Sequence, residues 1–257
     1  MRDPHVNSLR YNVSPEEGIS YSDPEPLSFA NHLGTFELSN NTLVVFPVEH
    51  FSIEDDARRA LDPFLQAWEI ETDLSSRVGM IRFKYDRAEM IDRDPPPPGS
   101  PKKINVTGKA TISVVGCRSS ALITSNKYPP PPDTFCVTPA VQFAYRRWVG
   151  YCAGNEPLQA MAYFVYTHLV SIAGDNRRAG KLFRIDISVI KKISELSSTK
   201  GSELTARKAP KNKQFQDLSG AEQVWLEEAT RRVIRRLGEY ASGAPLIPIS
   251  MADLPKM

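Results

Sequence analysis

The densest chemical signal in the chain is cationic. Residues 177–236 hold 15 Lys and Arg against 7 Asp and Glu. Arg177, Arg178, Lys191, Lys192, Arg207, Lys208, Lys211 and Lys213 are interrupted by few acids. Arg231, Arg232, Arg235 and Arg236 follow at i, i+1, i+4 and i+5, which on a helix sets two ridges of guanidinium groups along one side. Such a stripe neutralises phosphates with release of counterions, or grips carboxylates in bidentate pairs. Glu227 and Glu228 stand four residues ahead of Arg231 and Arg232, so the same stripe also fits a solvated helix face that pairs its own charges. The expected binding residues are Arg231, Arg232, Arg235 and Arg236, with Arg207, Lys208, Lys211 and Lys213.

Two other constellations have the residue types of a site. Glu49 and His50 end an apolar run just before Glu54, Asp55 and Asp56, a pattern suited to a divalent metal or to acid–base work. Acids in a first helical turn also complement the helix dipole without any catalytic role. Cys152 and His168 have the types of a thiolate–imidazole pair, although His168 in an apolar helix reads first as a core residue. The Gly108-Lys109 step lacks the first glycine of a phosphate loop, since Lys103 stands there, and Ala110 replaces its Ser or Thr. No G-x-G-x-x-G, G-x-S-x-G, H-E-x-x-H or EF-hand loop occurs. No catalytic residue, metal site or cofactor is therefore expected.

These residues need elements to hold them, and the pattern predicts an α+β fold. Residues 1–30 are polar, proline-punctuated and without period, which predicts an extended arm. Leu33–Leu38 and Thr42–Val48 read as strands joined at Ser39-Asn40-Asn41, whose asparagines tolerate positive φ. Ser52 and Asp55 begin an acidic helix with Ala57, Leu61, Phe64, Leu65 and Trp68 on one face, and Pro63 should kink or split it. Val78–Tyr85 alternates as a strand, with Ala88–Arg93 as its hairpin partner. These elements make an N-terminal mixed unit with mostly antiparallel strands. Two four-proline tracts, Pro95–Pro98 and Pro129–Pro132, bracket a β insertion over 95–132 that includes the alternating stretch Ile104–Val115.

The chain turns helical after Thr138-Pro139. Asn155 is expected to cap the apolar segment LQAMAYFVYTHLVSIA, a buried central helix closed by Gly174. A helix over 186–197, a basic loop over 200–216, and a last helix opened by a Ser219/Glu222 capping box complete a bundle. Leu226, Ala229, Val233, Leu237 and Tyr240 form the apolar stripe of that last helix, and a proline-rich tail straps it. The expected organisation is an arm over 1–30, an α+β domain over 31–132 and a basic helical domain over 133–257.

The chain's 257 residues, 41% hydrophobic and 24% charged, are enough for one large core or two small ones. Its net charge of +2 hides an asymmetry: residues 1–94 carry 9 Lys and Arg against 18 Asp and Glu, and residues 95–257 carry 23 against 12. Distinct partners, or mutual attraction of the halves, follow from such a split. No apolar run reaches the ~18–20 residues of a membrane span, and the opening MRDPHVNSLRYNVSPEEG has no apolar core of a secretory signal. Cys117, Cys136 and Cys152 form no C-x-x-C pair, so reduced thiols in the cytoplasm are expected.

The segment ARKAP, followed by LSGAEQVWLEEATRRVIRRLGEY and the ending ISMADLP, resembles the C-termini of uncharacterised bacterial proteins. A basic helical domain attached to a smaller α+β unit also resembles the HEPN-type helical domains of prokaryotic stress and defence proteins. Many of those are ribonucleases that use an arginine and a histidine separated by four to six intervening residues. None of His5, His32, His50 and His168 has an arginine at that spacing, so this resemblance implies binding rather than cleavage. Three readings follow. The first is a non-catalytic bacterial binding module whose basic helical half contacts nucleic acid or an acidic protein surface. The second is a scaffold or interaction subunit of a defence- or phage-related assembly, including a homo-oligomer that pairs acidic and basic halves. The third is an enzyme with a site around Glu49 and His50.

Overall fold

The computed structural model of the protein describes residues 3–94, 123–200 and 217–257. The expected strands within 104–115, the first proline tract and the basic loop of 201–216 lie outside them. The fold is α+β and divides into two units, one of residues 1–65 and 79–130, the other of 66–78 and 131–257.

The first unit is built on a five-stranded antiparallel sheet in the order β3-β4-β5-β1-β6. Its strands are β1 (Pro4–Val13), β3 (Leu27–Ala30), β4 (Gly34–Ser39), β5 (Thr42–Pro47) and β6 (Phe83–Asp92). β2 (Ile19–Glu25) pairs in parallel with β7 (Ile123–Lys127), the described part of the expected insertion. Asn40 and Asn41 both take positive φ, 47° and 56°, and close the β4–β5 hairpin as its sequence predicts. On the buried face, Val6, Leu9, Tyr11, Val13, Phe36, Leu38, Leu43 and Val45 are nearly free of solvent, and Phe36 packs on Phe64 with ring centroids 5.0 Å apart.

The described part of the expected arm, residues 3–30, is not an arm. β1 lies inside the sheet, bonded to β5 on one side and β6 on the other. Its pairing skips Asn7, between Val6↔Met90 and Ser8↔Glu89, so Val6 and Leu9 are buried although three residues apart. That bulge removes the period of two by which a strand is recognised. The hairpin expected at 78–93 is likewise a single strand: β6 stays extended through Asp86 and Arg87, where its register with β1 shifts. Helix α1 (Glu54–Ser75) is unbroken across Pro63. The proline removes one rung of the hydrogen-bond ladder, while buried Ala57, Leu61 and Leu65 keep the apolar face in place.

Residues 66–78 belong to the helical unit, so it does not begin at 133. There the end of α1 joins α2 (Pro139–Cys152), α3 (Leu158–Ala173), α4 (Asn176–Phe183), α5 (Ile187–Ser198) and α6 (Gly220–Ala241). α3 is the central helix and packs against α2, α4, α5 and α6. Thr138 caps α2, and Ser219 and Glu222 form the reciprocal capping box of α6. Asn155 caps nothing. Pro157 is the residue before α3, in extended geometry suited to a helix entrance. Leu226, Ala229, Val233 and Leu237 are buried as expected, but Tyr240, in the last turn of α6, is 43% exposed. The tail docks as a strap: Ile249 bridges to Ile185, and Leu254 is buried.

Candidate nucleic-acid interface

The α6 arginines are largely consumed by their own surroundings. Arg231 and Arg232 both hold Glu228, through Nε donors at 3.0 Å and 2.6 Å. Arg235 donates to Glu71 at 2.8 Å and also faces Glu239. Glu239 bridges onward to Arg236, whose Nε donates to it at 2.8 Å. Arg236 is not part of an outward ridge. It is 4% exposed, and its remaining donors reach the carbonyl oxygens of Phe183 at 2.7 Å and Ile247 at 2.6 Å. The position explains this: Arg236 follows Val233 by three residues and Ala229 by seven, which sets it on the buried side of the helix. Arg207, Lys208, Lys211 and Lys213 lie outside the described residues.

A second cationic surface sits on α4, the connection after it, and α5. Asp175 caps α4 by accepting from the Arg178 amide at 2.8 Å. At the other end Arg184 takes the left-handed conformation, φ 53° and ψ 43°, and its N–H returns to the Gly180 carbonyl. Gly180 permits this tight return, since a Cβ there would stand 2.9 Å from the Ile185 carbonyl oxygen. Asp186 then caps α5 by accepting from the Ser188 amide at 3.0 Å. Both acids of the segment are therefore engaged at helix starts.

Ala179 and Phe183 anchor α4 in the core, which turns Arg177 and Lys181 outward at i and i+4, and Arg184 follows at the left-handed cap. All three are exposed, as is Lys191 on α5. No carboxylate of the described residues forms an ion pair with any of the four. They border two open grooves. One, of about 550 Å³, is lined by Arg177 and Lys191 together with Val170, Ile187 and the α4 cap Asp175. The other, of about 400 Å³, carries Lys181 and Arg184 with the α5 cap Asp186 beside the strap residues Pro248 and Ser250.

Comparison with known proteins finds no matching family model, no matching curated protein and no matching solved structure.

The remaining candidates are not assembled into sites. Glu49 is exposed, Asp55 pairs with Arg58 at 3.4 Å, and His50 meets His5 and Asp3 instead. Among the described residues no group of three or more His, Cys, Asp and Glu is arranged to hold a metal ion. His168 stacks on Phe164, and its Nε2 has no hydrogen-bond partner among the described residues. Cys152 lies near Glu227 and Asp73, and burial together with those charges pushes its thiol up to about 11. A thiol so disfavoured as thiolate is a poor nucleophile at neutral pH. Among the described residues no helix is long and apolar enough to cross a membrane.

Proposed function

We propose that this protein is a non-catalytic binding module whose helical unit holds nucleic acid on the α4–α5 face. The observation that carries the reading is the set of Arg177, Lys181, Arg184 and Lys191, four exposed cations that form no ion pair with a carboxylate of the described residues, around two open grooves. Paired arginines gain little from meeting a phosphate, because their own glutamate must be displaced. Unpaired cations release counterions directly when they meet one. In this reading Arg231, Arg232, Arg235 and Arg236 hold α6 in place, and the contact surface lies on α4 and α5. Free Cys136 and Cys152 fit a reducing, cytoplasmic setting.

The test is fluorescence anisotropy of the full chain with labelled single- and double-stranded DNA and RNA, at low and high salt. Binding is expected to be salt-steep and to fall at least tenfold, roughly, when Arg177, Lys181, Arg184 and Lys191 are all replaced by Gln. Replacing Arg231 and Arg232 by Gln is expected to change it little. Binding that survives the first set, or is lost only with the second, would overturn the assignment. No binding at low salt to any of the four probes would leave the face to an acidic protein partner.

A further inference from the structure

Two histidines of the first unit share a single hydrogen bond. His5 stands near the start of β1 and His50 in the loop between β5 and α1, and their rings stack 13° from parallel with centroids 5.0 Å apart. Nδ1 of one faces Nδ1 of the other at 3.1 Å. On the far side of His5, Arg93 brings Nη2 to 3.1 Å from Nε2. On the far side of His50, Nε2 lies 3.6 Å from Asp3 Oδ1.

Only one proton arrangement satisfies all three contacts. A guanidinium donates and never accepts, so His5 Nε2 must be bare. His5 then carries its proton on Nδ1 and donates to His50 Nδ1, which leaves the His50 proton on Nε2, facing Asp3. The chain runs one way, from Arg93 through His5 and His50 to Asp3. A further proton on His5 Nε2 would point at the Arg93 guanidinium. A further proton on His50 Nδ1 would point at the His5 N–H.

The same residues close the end of the sheet. The Arg93 amide donates to the Asp3 carbonyl at 2.9 Å, the Val6 amide to the Phe51 carbonyl at 2.8 Å, and the Asp3 amide to Asp92 Oδ1 at 3.0 Å. The charged groups around the pair are therefore Arg93 and Asp92 at the end of β6 and Asp3 before β1. Glu49 is adjacent to His50, and the acidic first turn of α1 (Glu54, Asp55, Asp56) follows in the chain.

We propose that His5 and His50 form an acid-sensitive latch, which ties the 48–53 loop to the ends of β1 and β6 while both rings are neutral. A proton on the His5 ring opens it, because it would point at the Arg93 guanidinium. Burial first, then Arg93 and His50, hold the His5 imidazole below its ordinary range, with Asp3 opposing them. A lowered imidazole stabilises the fold above the ordinary histidine value of about 6.5, and that contribution is lost as pH falls below it.

The experiment is hydrogen exchange of the Val6 and Arg93 amides in the full chain, corrected for intrinsic rate, with the His5 ring titrated by NMR. Protection of these two amides is expected to fall about tenfold from about pH 7.5 to about pH 5.5, while amides in the centre of β4 and β5 hold theirs. His5→Gln supplies an acceptor for Arg93 and a donor for His50 without a titrating ring, so the loss of protection should vanish. Arg93→Met should raise the pH at which His5 takes its proton, because Nε2 is then free. Equal protection at both pH values in the wild type, or an unmoved His5 titration in Arg93→Met, would overturn the latch. The Arg93 variant keeps the question open to measurement even where His5→Gln does not fold.

Discussion

Arg236 closes the end of a different helix from its own: its guanidinium donates across 2.7 Å to the carbonyl oxygen of Phe183, the last residue of α4. Terminal carbonyls of a helix have no intrahelical partner. Here the nearly buried side chain satisfies that of Phe183 and also that of Ile247 in the strap. One arginine thus ties α6, α4 and the C-terminal tail together. Glu239 neutralises it.

Arg236→Met is expected to destabilise the protein by about 3 kcal/mol. It strips donors from two carbonyl groups and leaves Glu239 with Arg235 as its remaining described cation. Arg232→Gln, on a half-buried pair whose Glu228 also holds Arg231, is expected to change stability by less than about 1 kcal/mol. Urea unfolding of both variants, compared at neutral pH, checks the contrast. Equal effects would return Arg236 to the surface.

The salt dependence of nucleic-acid binding reports how many cations meet phosphates. Duplex binding weakens with salt at a slope near −0.9 per phosphate neutralised. The double variants Arg177→Gln/Lys191→Gln and Lys181→Gln/Arg184→Gln should each flatten that slope by about 2. Titrations at several salt concentrations give the number directly. A slope unchanged in both doubles would show that neither groove touches phosphate.

Gly238 stands inside α6 where a helix would ordinarily gain from alanine. A Cβ there would lie 2.2–2.6 Å from three ring carbons of Phe135. Phe135 is itself buried and is followed by Cys136, whose amide donates to the Gly238 carbonyl at 3.1 Å. Gly238→Ala should therefore lower stability by about 1–3 kcal/mol despite its better propensity. Adding Phe135→Leu should recover part of the loss, a coupling that a double-mutant cycle by urea unfolding would read.

The sequence discloses elements whose local chemistry agrees with their tertiary role. Asn40-Asn41, Thr138-Pro139 and the Ser219/Glu222 box each mark a turn or helix start that the fold uses. β1 is hidden because its bulge at Asn7 breaks the alternation, and the buried pair Val6 and Leu9 reads as no period at all. α4 is hidden because eight residues give too few apolar positions, only Ala179 and Phe183 being buried. The cationic surface is hidden for another reason. Charge counting finds arginines, but partners such as Glu71 are remote in sequence, so only the fold separates consumed cations from free ones. Arg236 did carry a signal in its offset from Val233 and Ala229.

Glu71 offers a test of what the long-range pairing contributes. It lies 164 residues from Arg235 in the chain and accepts from it at 2.8 Å. Burial pushes its carboxyl above the ordinary range even with Arg235 opposing the shift. The fold thus disfavours the charged form more than the arginine favours it. A raised carboxyl contributes stability below its unfolded value near 4.3 and loses it as pH rises through the folded value. Glu71→Gln keeps an oxygen for Arg235 and carries no charge to desolvate. Its stability at pH 7 should equal or exceed wild type by up to about 1 kcal/mol, and the difference should close near pH 4. Glu71→Ala, which leaves Arg235 with only Glu239, should fall below both. Chemical denaturation at the two pH values decides the matter: a Gln variant less stable than wild type at pH 7 would mean that the ion pair stabilises the bundle on its own account.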